Sequence, residues 1–251
     1  MSTVPLGFRG QGRDAAPSCD HVENIFRAAL ALDELHARSG VDIVLALEPE
    51  PWCLLETMAE AVAWFEDFAL PFAASHGNEA AMRRHIGLCL DLCHAFVVGE
   101  DPVACLRDAQ RCGLRVGKVQ LSSALAARGS KGCDGLRRRF RDPVYLHQTF
   151  EANGRVGPFV DIEDQGFLGL NPLEADVFRC HYHVPLHWHG DADVDTSHDV
   201  VVQFLEAIEA EPSLLPEGVP LEVETYTNPQ IVEELAFVVE RLLGLQRGAR
   251  S

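Results

Sequence analysis

Side chains that could bind a metal ion or move a proton follow a series of short apolar segments in this sequence. Each segment is apolar until its C-terminal end, where a carboxylate, an imidazole or an amide appears. These groups are Glu48, Glu50, Asp91, His94, Gln120, His181, His183, Glu222 and Glu224. Mixed carboxylate and imidazole ligands suit Mn, Mg, Co, Fe or Zn. The pattern predicts a divalent-metal site if the ends of these segments meet.

Carboxylates gathered at one place need a counter-ion. Two carboxylates about 4 Å apart repel by roughly 4 kcal/mol at an effective dielectric of 20. Glu48, Asp91 and Glu224 in one cluster would therefore either protonate or recruit a cation. We expect these three side chains to bind the metal, with Gln120 or His183 as a further ligand. The alternative for any single residue is a surface group that is hydrogen-bonded locally.

Residues 48–51 have the sequence Glu-Pro-Glu-Pro. A residue before proline is pushed out of the helical region, so Glu48 and Glu50 are both held extended. Side chains at positions i and i+2 of an extended segment face the same way. We therefore expect Glu48 to bind metal and Glu50 to act as a catalytic group on substrate. A rigid turn with solvated glutamates is the alternative.

Helical patterns separate the apolar segments. Apolar residues recur at helical spacing after Asp20, and Gly40 ends that helix. The predicted strands cover residues 3–8, 41–47, 86–92, 116–121, 178–186 and 220–225, and the predicted helices cover 20–39, 54–68, 101–113, 197–210 and the segment after Asn228. Repeating β-α units form either a doubly wound sheet or a (β/α)8 TIM barrel. No Gly-rich phosphate fingerprint follows a strand, which favours the barrel, and its strand ends converge on one mouth.

Residues 122–176 interrupt this repeat. They contain four arginines within 137–141, a turn at Asn153-Gly154, and apolar stretches on both sides of that turn. We expect a helix or loop followed by an inserted β-hairpin, within a single domain of residues 1–251. The arginine run is expected to be a solvated face, with phosphate contact as the alternative.

Composition limits the partners and the compartment. A formal net charge of −17 repels phosphate backbones, so no nucleic-acid partner is expected. The eight cysteines contain no C-x-x-C spacing, which favours buried thiols in a reducing cytoplasm. The N-terminus has neither the basic start nor the apolar core of a signal peptide, and no apolar run approaches the ~20 residues that cross a bilayer. We expect a cytoplasmic protein without membrane insertion.

Three motifs resemble the endonuclease IV and sugar isomerase superfamily. Residues 88–96 (LCLDLCHAF) are similar to its strand-end signature, in which the residue at Asp91 is a metal ligand and that at His94 binds metal or substrate. Residues 46–51 (ALEPEP) are similar to the Glu-Pro-Lys-Pro of xylose isomerases, whose glutamate is a ligand. Residues 222–225 (EVET) resemble the glutamate of the last strand. The resemblance implies a xylose-isomerase-like TIM barrel.

A narrower resemblance covers essentially the whole chain. Residues 119–125 (VQLSSAL), 145–148 (YLHQ), 181–186 (HYHVPL) and 223–227 (VETYT) look together like the bacterial EboE family of metabolite traffic proteins. It implies a role in making or moving a secondary-metabolite precursor, and these motifs supply the expected substrate-binding residues His147, His181 and Tyr226. The expected partners are a small-molecule metabolite and a second copy of the chain or other pathway proteins.

The sequence departs from these families at three points. Glu50 stands where xylose isomerases carry a catalytic lysine, which puts their hydride-shift mechanism in doubt. Gln120 stands where the superfamily commonly has a histidine or aspartate ligand. The chain also begins at what should be the third strand, so we expect a barrel truncated at its N-terminus to about six β-α units.

Two main functions follow, with a third held in reserve. The first is a metal-dependent isomerase or epimerase acting on a hydroxycarbonyl or polyol-type metabolite, in which Glu50 moves a proton and His94 orients a substrate oxygen. The second is a non-catalytic metabolite-binding or trafficking protein, which Gln120 and Glu50 favour because each replaces a chemically active group. Hydrolysis of abasic DNA, as in endonuclease IV, is the third hypothesis, and the net charge argues against it.

Overall fold

The computed structural model describes residues 1–10, 15–225 and 231–248. In the last helix, side chains are described as far as residue 242. The strands are β1 (Ser2–Thr3), β2 (Leu45–Leu47), β3 (Ile86–Asp91), β4 (Val116–Leu121), β5 (Ser123–Arg128), β6 (Thr149–Glu151), β7 (Val177–Val184), β8 (Asp195–Thr196) and β9 (Leu221–Val223). The helices are α1 (Cys19–Ser39), α2 (Met58–Trp64), α3 (Leu70–Ser75), α4 (Glu79–His85), α5 (Leu92–Val98), α6 (Pro102–Arg111), α7 (Gly129–Arg139), α8 (Gln165–Leu168), α9 (His198–Ala210) and α10 (Ile231–Gly248). A π-helical segment, Phe65–Ala69, joins α2 to α3, and a 3-10 turn, Pro212–Leu214, follows α9.

The chain divides into two compact units. The first comprises Met1–Asp91, Pro102–Val119 and Leu214–Leu221, and the second comprises Leu92–Asp101, Gln120–Ser213 and Glu222–Ser251. The two units are defined by compactness alone. They do not test the expectation that residues 1–251 form a single domain, which stays a prediction. No described helix combines the length and the apolar character that a bilayer crossing requires.

A parallel sheet organises the first unit. Its five strands lie in the order β1-β2-β3-β4-β9, and β4 and β9 continue at their C-terminal ends into residues of the second unit. Every residue of β3 is buried. Gly87 in β3 allows the backbone just before β4 to approach closely, because a Cβ at this position would lie 2.4 Å from the carbonyl oxygen of Arg115. The mixed α/β class predicted from the sequence is confirmed.

Helix α1 forms where the sequence predicts it. Ser18 and His21 form a capping box at its start, and Gly40 ends it in a left-handed conformation with φ 71°. The buried residues recur at helical spacing and are Val22, Ile25, Phe26 and Ala29. The helix predicted for 54–68 begins later, at Met58, where the Thr57 hydroxyl accepts the Glu60 amide, and the π-helical segment carries it on towards α3.

A four-stranded antiparallel sheet, in the order β6-β7-β5-β8, organises the second unit. The sequence predicts 178–186 as another strand of the parallel sheet, and this prediction is wrong. Strand β7 instead pairs antiparallel with β5 and β6. The physical reason is that β5, which the sequence analysis did not identify as a strand, follows β4 almost at once and pairs with residues 177–180 and 184 of β7.

The inserted hairpin is also smaller than expected. Within residues 144–162 the antiparallel pairing is an isolated bridge between Thr149 and Phe159. Strand β6 pairs chiefly with β7, where Thr149 faces Cys180. Pro158 has no amide hydrogen to donate, and Gly154 and Gly157 adopt positive φ, which limits a regular ladder through the second half of the segment.

The arginine run of 137–141 lies on an ion-paired face. Arg138 contacts Asp193 at 3.4 Å, Arg139 contacts Asp191 at 2.7 Å, and Arg141 contacts Glu163 at 3.4 Å. Arg137 donates to Asp134 and to the carbonyl oxygen of Phe167. Each guanidinium therefore has a partner within the second unit, which supports the solvated-face interpretation over phosphate contact.

A buried hydroxyl connects β5 to the start of α9. The Ser197 Oγ accepts the Ala124 amide at 2.7 Å, and both residues are almost fully buried. We expect Ser197→Ala to lower the free energy of unfolding by about 1–3 kcal/mol, because the buried Ala124 amide loses its acceptor. Urea denaturation followed by circular dichroism measures this. Ser130→Ala removes an exposed hydroxyl that donates to the carbonyl oxygen of Pro172 at 3.0 Å, and it should cost less because water can replace an exposed hydrogen bond. Equal effects of the two substitutions would contradict the interpretation.

Candidate metal centre

Two elements of the second unit gather three histidines. Successive side chains of a strand alternate between its faces, so His181 and His183 of β7 lie on the same face. Their ring centroids are 5.5 Å apart. His94, in the first turns of α5, has its ring centroid 4.6 Å from that of His181 and 5.6 Å from that of His183. We call His94, His181 and His183 the imidazole cluster.

Two oxygen acceptors define the tautomers in this cluster. The Nδ1 of His183 lies 2.9 Å from the backbone carbonyl oxygen of Glu224, which can only accept, so Nδ1 carries the proton. The Nδ1 of His181 lies 2.7 Å from Oε1 of Gln148 and donates to it in the same way. A neutral imidazole protonated on Nδ1 carries its lone pair on Nε2. Metal-binding histidines in proteins are typically held by this kind of contact.

The third histidine completes a hydrogen-bonded chain. The Nε2 atoms of His94 and His181 are 3.1 Å apart. Because His181 carries its lone pair on Nε2, the Nε2–H of His94 is the donor. The chain therefore runs from His94 through His181 to Gln148, and His94 presents a ring N–H that could equally donate to a substrate oxygen.

Burial keeps His181 neutral. Desolvation lowers the pKa of His181 well below its ordinary value, and the neighbouring imidazoles of His94, His183 and His147 lower it further, because a second positive charge beside them is unfavourable. A neutral imidazole is the form that binds metal. The environment therefore holds His181 in the ligand form at neutral pH.

Cys93 adds a thiol to the same region. Its Sγ and one ring nitrogen each of His181 and His183 all lie within 4.8 Å of one another. The side chain is fully buried beside Val97 and Ala124. Its backbone amide donates to Oγ of Ser122 at 2.9 Å, which fixes the first turn of α5.

The predicted carboxylates Glu48, Glu50 and Asp91 belong to the first unit. One oxygen of Glu48 lies within 4.8 Å of one oxygen of Asp91, and Asp91 is buried. At that separation two charged carboxylates repel by roughly 3–4 kcal/mol at an effective dielectric of 20, so a cation would stabilise the pair. Glu50 accepts a contact from the Cys53 thiol at 3.5 Å, and burial together with this carboxylate raises the pKa of Cys53.

The remaining predicted residues belong to the second unit. Gln120 is buried at the end of β4, and Glu224, after β9, donates its amide to the carbonyl oxygen of Leu121. The predicted ligand set of Glu48, Asp91, Gln120, His183 and Glu224 thus divides between the two units, and it stays a prediction. The substrate-binding role of His147 and His181 also stays a prediction. Tyr226 lies outside the described residues.

Four contributors were missed by the sequence analysis. They are Cys93, Ser122, Gln148 and Glu234. Gln148 and Ser122 occur inside the motifs that resemble EboE, so their position in those motifs could have drawn attention to them. Cys93 lies inside the strand-end motif of residues 88–96, directly before His94, so its position could have drawn attention to it as well. Glu234 belongs to the pattern of a final amphipathic helix, and nothing in the sequence alone distinguishes it from an ordinary helix residue.

A fully buried carboxylate holds the segments around His183. Oε2 of Glu234 accepts the Leu186 amide at 2.9 Å and the Thr225 hydroxyl at 2.8 Å. Leu186 lies three residues after His183. Thr225 directly follows Glu224, whose carbonyl oxygen accepts the Nδ1–H of His183. Glu234 therefore positions both sides of that hydrogen bond.

We expect Glu234→Ala to lower the free energy of unfolding by about 1.5–3 kcal/mol, the value of a hydrogen bond to a charged group. It should also shift the ring nitrogen resonances of His183, which a nitrogen-15 NMR spectrum of the histidine side chains measures. The exposed neighbour Glu233→Ala is the control and should leave those resonances in place. Unchanged His183 signals in Glu234→Ala would show that this carboxylate does not position the ring.

His147 provides a test of burial by pH. Its ring stacks on Tyr182 at 4.9 Å, and desolvation lowers its pKa despite the opposing charges of Asp161, Asp142 and Glu163. The unfolded chain then takes up a proton below about pH 6.5 that the folded chain resists. Stability contributed by His147 is therefore present at neutral pH and is lost as pH falls below 6.5.

We expect His147→Gln to reduce the loss of unfolding free energy between pH 7 and pH 5, measured by urea denaturation at each pH. The exposed His189→Gln should keep the full pH dependence. A pH dependence identical in His147→Gln and in the unsubstituted protein would contradict the lowered pKa.

Comparison of the chain with protein-family models, with curated proteins and with solved structures gave no match.

Proposed function

We propose that this chain is a xylose-isomerase-like TIM-barrel protein of the EboE kind that uses a divalent metal to isomerise or epimerise a small hydroxycarbonyl or polyol-type metabolite. The order of the parallel sheet supports the barrel. In a doubly wound sheet the strand order reverses at a switch point, whereas the order β1-β2-β3-β4-β9 follows the chain without a reversal. Sequential order is the rule in a barrel. The proposal keeps the predicted cytoplasmic setting and the role in secondary-metabolite precursor traffic.

The observation that best supports a bound metal is the way in which two imidazole rings are held by hydrogen bonds. His181 and His183 share one face of β7, and each donates from Nδ1 to an oxygen acceptor. This arrangement directs the basic character of each ring to Nε2, the atom that would bind a cation. Among the metals predicted from the sequence, Zn and Fe are the ones that imidazole ligands suit.

The residues have separate roles in the proposed reaction. A bound divalent cation would supply Lewis acidity toward the oxygens of an α-hydroxycarbonyl, which would stabilise the negative charge left when a base takes up the α-proton. Glu50 is the residue predicted from the sequence for that base. His94 donates its Nε2–H to a substrate oxygen and so orients it. His181 and His183 hold the cation. His147, buried against Tyr182, is the proposed wall of the substrate site.

Metal analysis of protein purified without chelator tests the first part of the proposal. We expect a bound transition metal, and we expect its content to fall at least about tenfold in His181→Ala and His183→Ala, since loss of even an outer partner of a ligand costs 10–100-fold in affinity. His189→Gln, a histidine of the same unit, should retain the metal. Equal metal content in all variants would contradict binding at the imidazole cluster.

Exchange of the substrate α-proton tests the second part. Candidate hydroxycarbonyls incubated in D₂O with Mn, Mg, Co, Fe or Zn should incorporate deuterium, which NMR detects, and a chelator should abolish the exchange. Glu48→Gln and Glu224→Gln examine the predicted carboxylate ligands, and full activity in both would remove them from the ligand set. His94→Gln should lower the exchange rate while leaving metal content unchanged, since His94 is proposed to contact substrate.

A second candidate function is supported by Gln120. This buried amide stands where the resembling superfamily carries a histidine or an aspartate, and an amide cannot take up a proton at neutral pH. A protein that binds and carries a metabolite without converting it is compatible with such a replacement. Calorimetry with polyols and hydroxycarbonyls separates the two functions, because tight binding without deuterium exchange is expected only for the carrier.

A further inference from the structure

Cys93 is placed to contribute more than packing. Its Sγ and one ring nitrogen each of His181 and His183 lie within 4.8 Å of one another, and all three side chains belong to the second unit. The two histidines are already held in position by Gln148 and by the Glu224 carbonyl. Thiolate and imidazole ligands occur together in catalytic zinc sites.

We propose that Cys93, His181 and His183 are the three protein ligands of one transition-metal ion, and that the thiolate selects zinc or cobalt over magnesium and manganese. The inference rests on the proposed function, because the ion is the one assigned there to the imidazole cluster. It changes the chemistry of the site, since the carboxylate-rich set predicted from the sequence suits hard cations. A thiolate is a soft ligand that hard cations avoid.

The distances allow this coordination with a small adjustment. Zinc bonds of about 2.3 Å to sulfur and 2.0–2.1 Å to nitrogen place tetrahedral ligand atoms ~3.3–3.7 Å apart. Ligand atoms that all lie within 4.8 Å need to close by on the order of 1 Å. The backbone around the donors is held at both ends: the Cys93 amide donates to Ser122 Oγ, and Cys180 and Val184, which flank the two histidines in β7, pair with Leu125 and Ser123 of β5. The ladder with β5 shifts register between these two pairs, across residues 181–183.

Three protein ligands leave a fourth position for substrate or water, as in catalytic zinc sites. His94 is adjacent to that region, because its Nε2 lies 3.1 Å from Nε2 of His181. When the ion binds, the Cys93 thiol loses its proton to solvent and the His181 lone pair bonds to the metal instead of accepting from His94. The Nε2–H of His94 is then available for a substrate oxygen.

Cobalt is a direct probe of this ligand set, because a cobalt–thiolate bond gives a charge-transfer absorption band in the near ultraviolet and tetrahedral cobalt absorbs in the visible. We titrate the full-length, metal-free protein with Co²⁺ and expect both features to rise together. Cys93→Ser should remove the near-ultraviolet band and weaken Zn²⁺ binding at least about 10–100-fold, the loss caused by removing even an outer partner of a ligand. Mg²⁺ and Mn²⁺ binding should change much less.

The control is Cys89→Ser, a fully buried cysteine four residues earlier in β3, which should keep the near-ultraviolet band. Cobalt binding without a thiolate band, or a band that persists in Cys93→Ser, overturns the Cys93 assignment and leaves the proposed metal-dependent function in place. Absence of any cobalt or zinc binding contradicts the proposed function as well. If Cys93→Ser does not fold, X-ray absorption of the zinc-loaded, unsubstituted protein decides the matter, because a first shell without sulfur overturns the assignment.

Discussion

The hydrogen bond from His183 Nδ1 to the Glu224 carbonyl oxygen is the constraint on which the candidate centre depends. It joins β7 to the segment after β9 and determines which nitrogen of His183 carries the lone pair. A buried glutamate, Glu234, holds the chain on both sides of this bond through Leu186 and Thr225. A buried carboxylate is costly unless it is fully hydrogen-bonded, so its presence here is explained by the segments that it fixes.

The antiparallel sheet of the second unit provides the second level of positioning. Strand β7 is an interior strand that pairs with β5 on one side and β6 on the other. Its ladder with β5 shifts register across residues 181–183, and the pairs at Cys180 and Val184 fix the two ends of this histidine segment. A slip by one residue would turn His181 and His183 to the opposite face. Strand β6 also leads directly from Gln148, so the acceptor of His181 and the strand that fixes β7 belong to the same short segment.

The chemistry of the centre depends on the choice among its donors. The imidazole cluster lies beside a thiol in the second unit. In the first unit, the buried Asp91 and the half-buried Glu48 form a carboxylate pair. Soft and hard donors select different metals, so metal identity is the property that distinguishes the ligand set predicted from the sequence from the set proposed from the structure. On the surface, three arginines of the 137–141 run pair with carboxylates, so their charges do not require a phosphate partner.

The sequence by itself determined the α/β class, helix α1 with its capping residues, and the recurrence of carboxylates and imidazoles after apolar segments, because periodicity, turn residues and side-chain chemistry are local properties. It also identified His94, His181 and His183 as candidate site residues. Only the tertiary structure decided that β7 pairs antiparallel, since alternation along a strand defines its faces and not its partners. The tautomers of the histidines and the proximity of Cys93 likewise depend on contacts between residues distant in sequence, which no local pattern encodes.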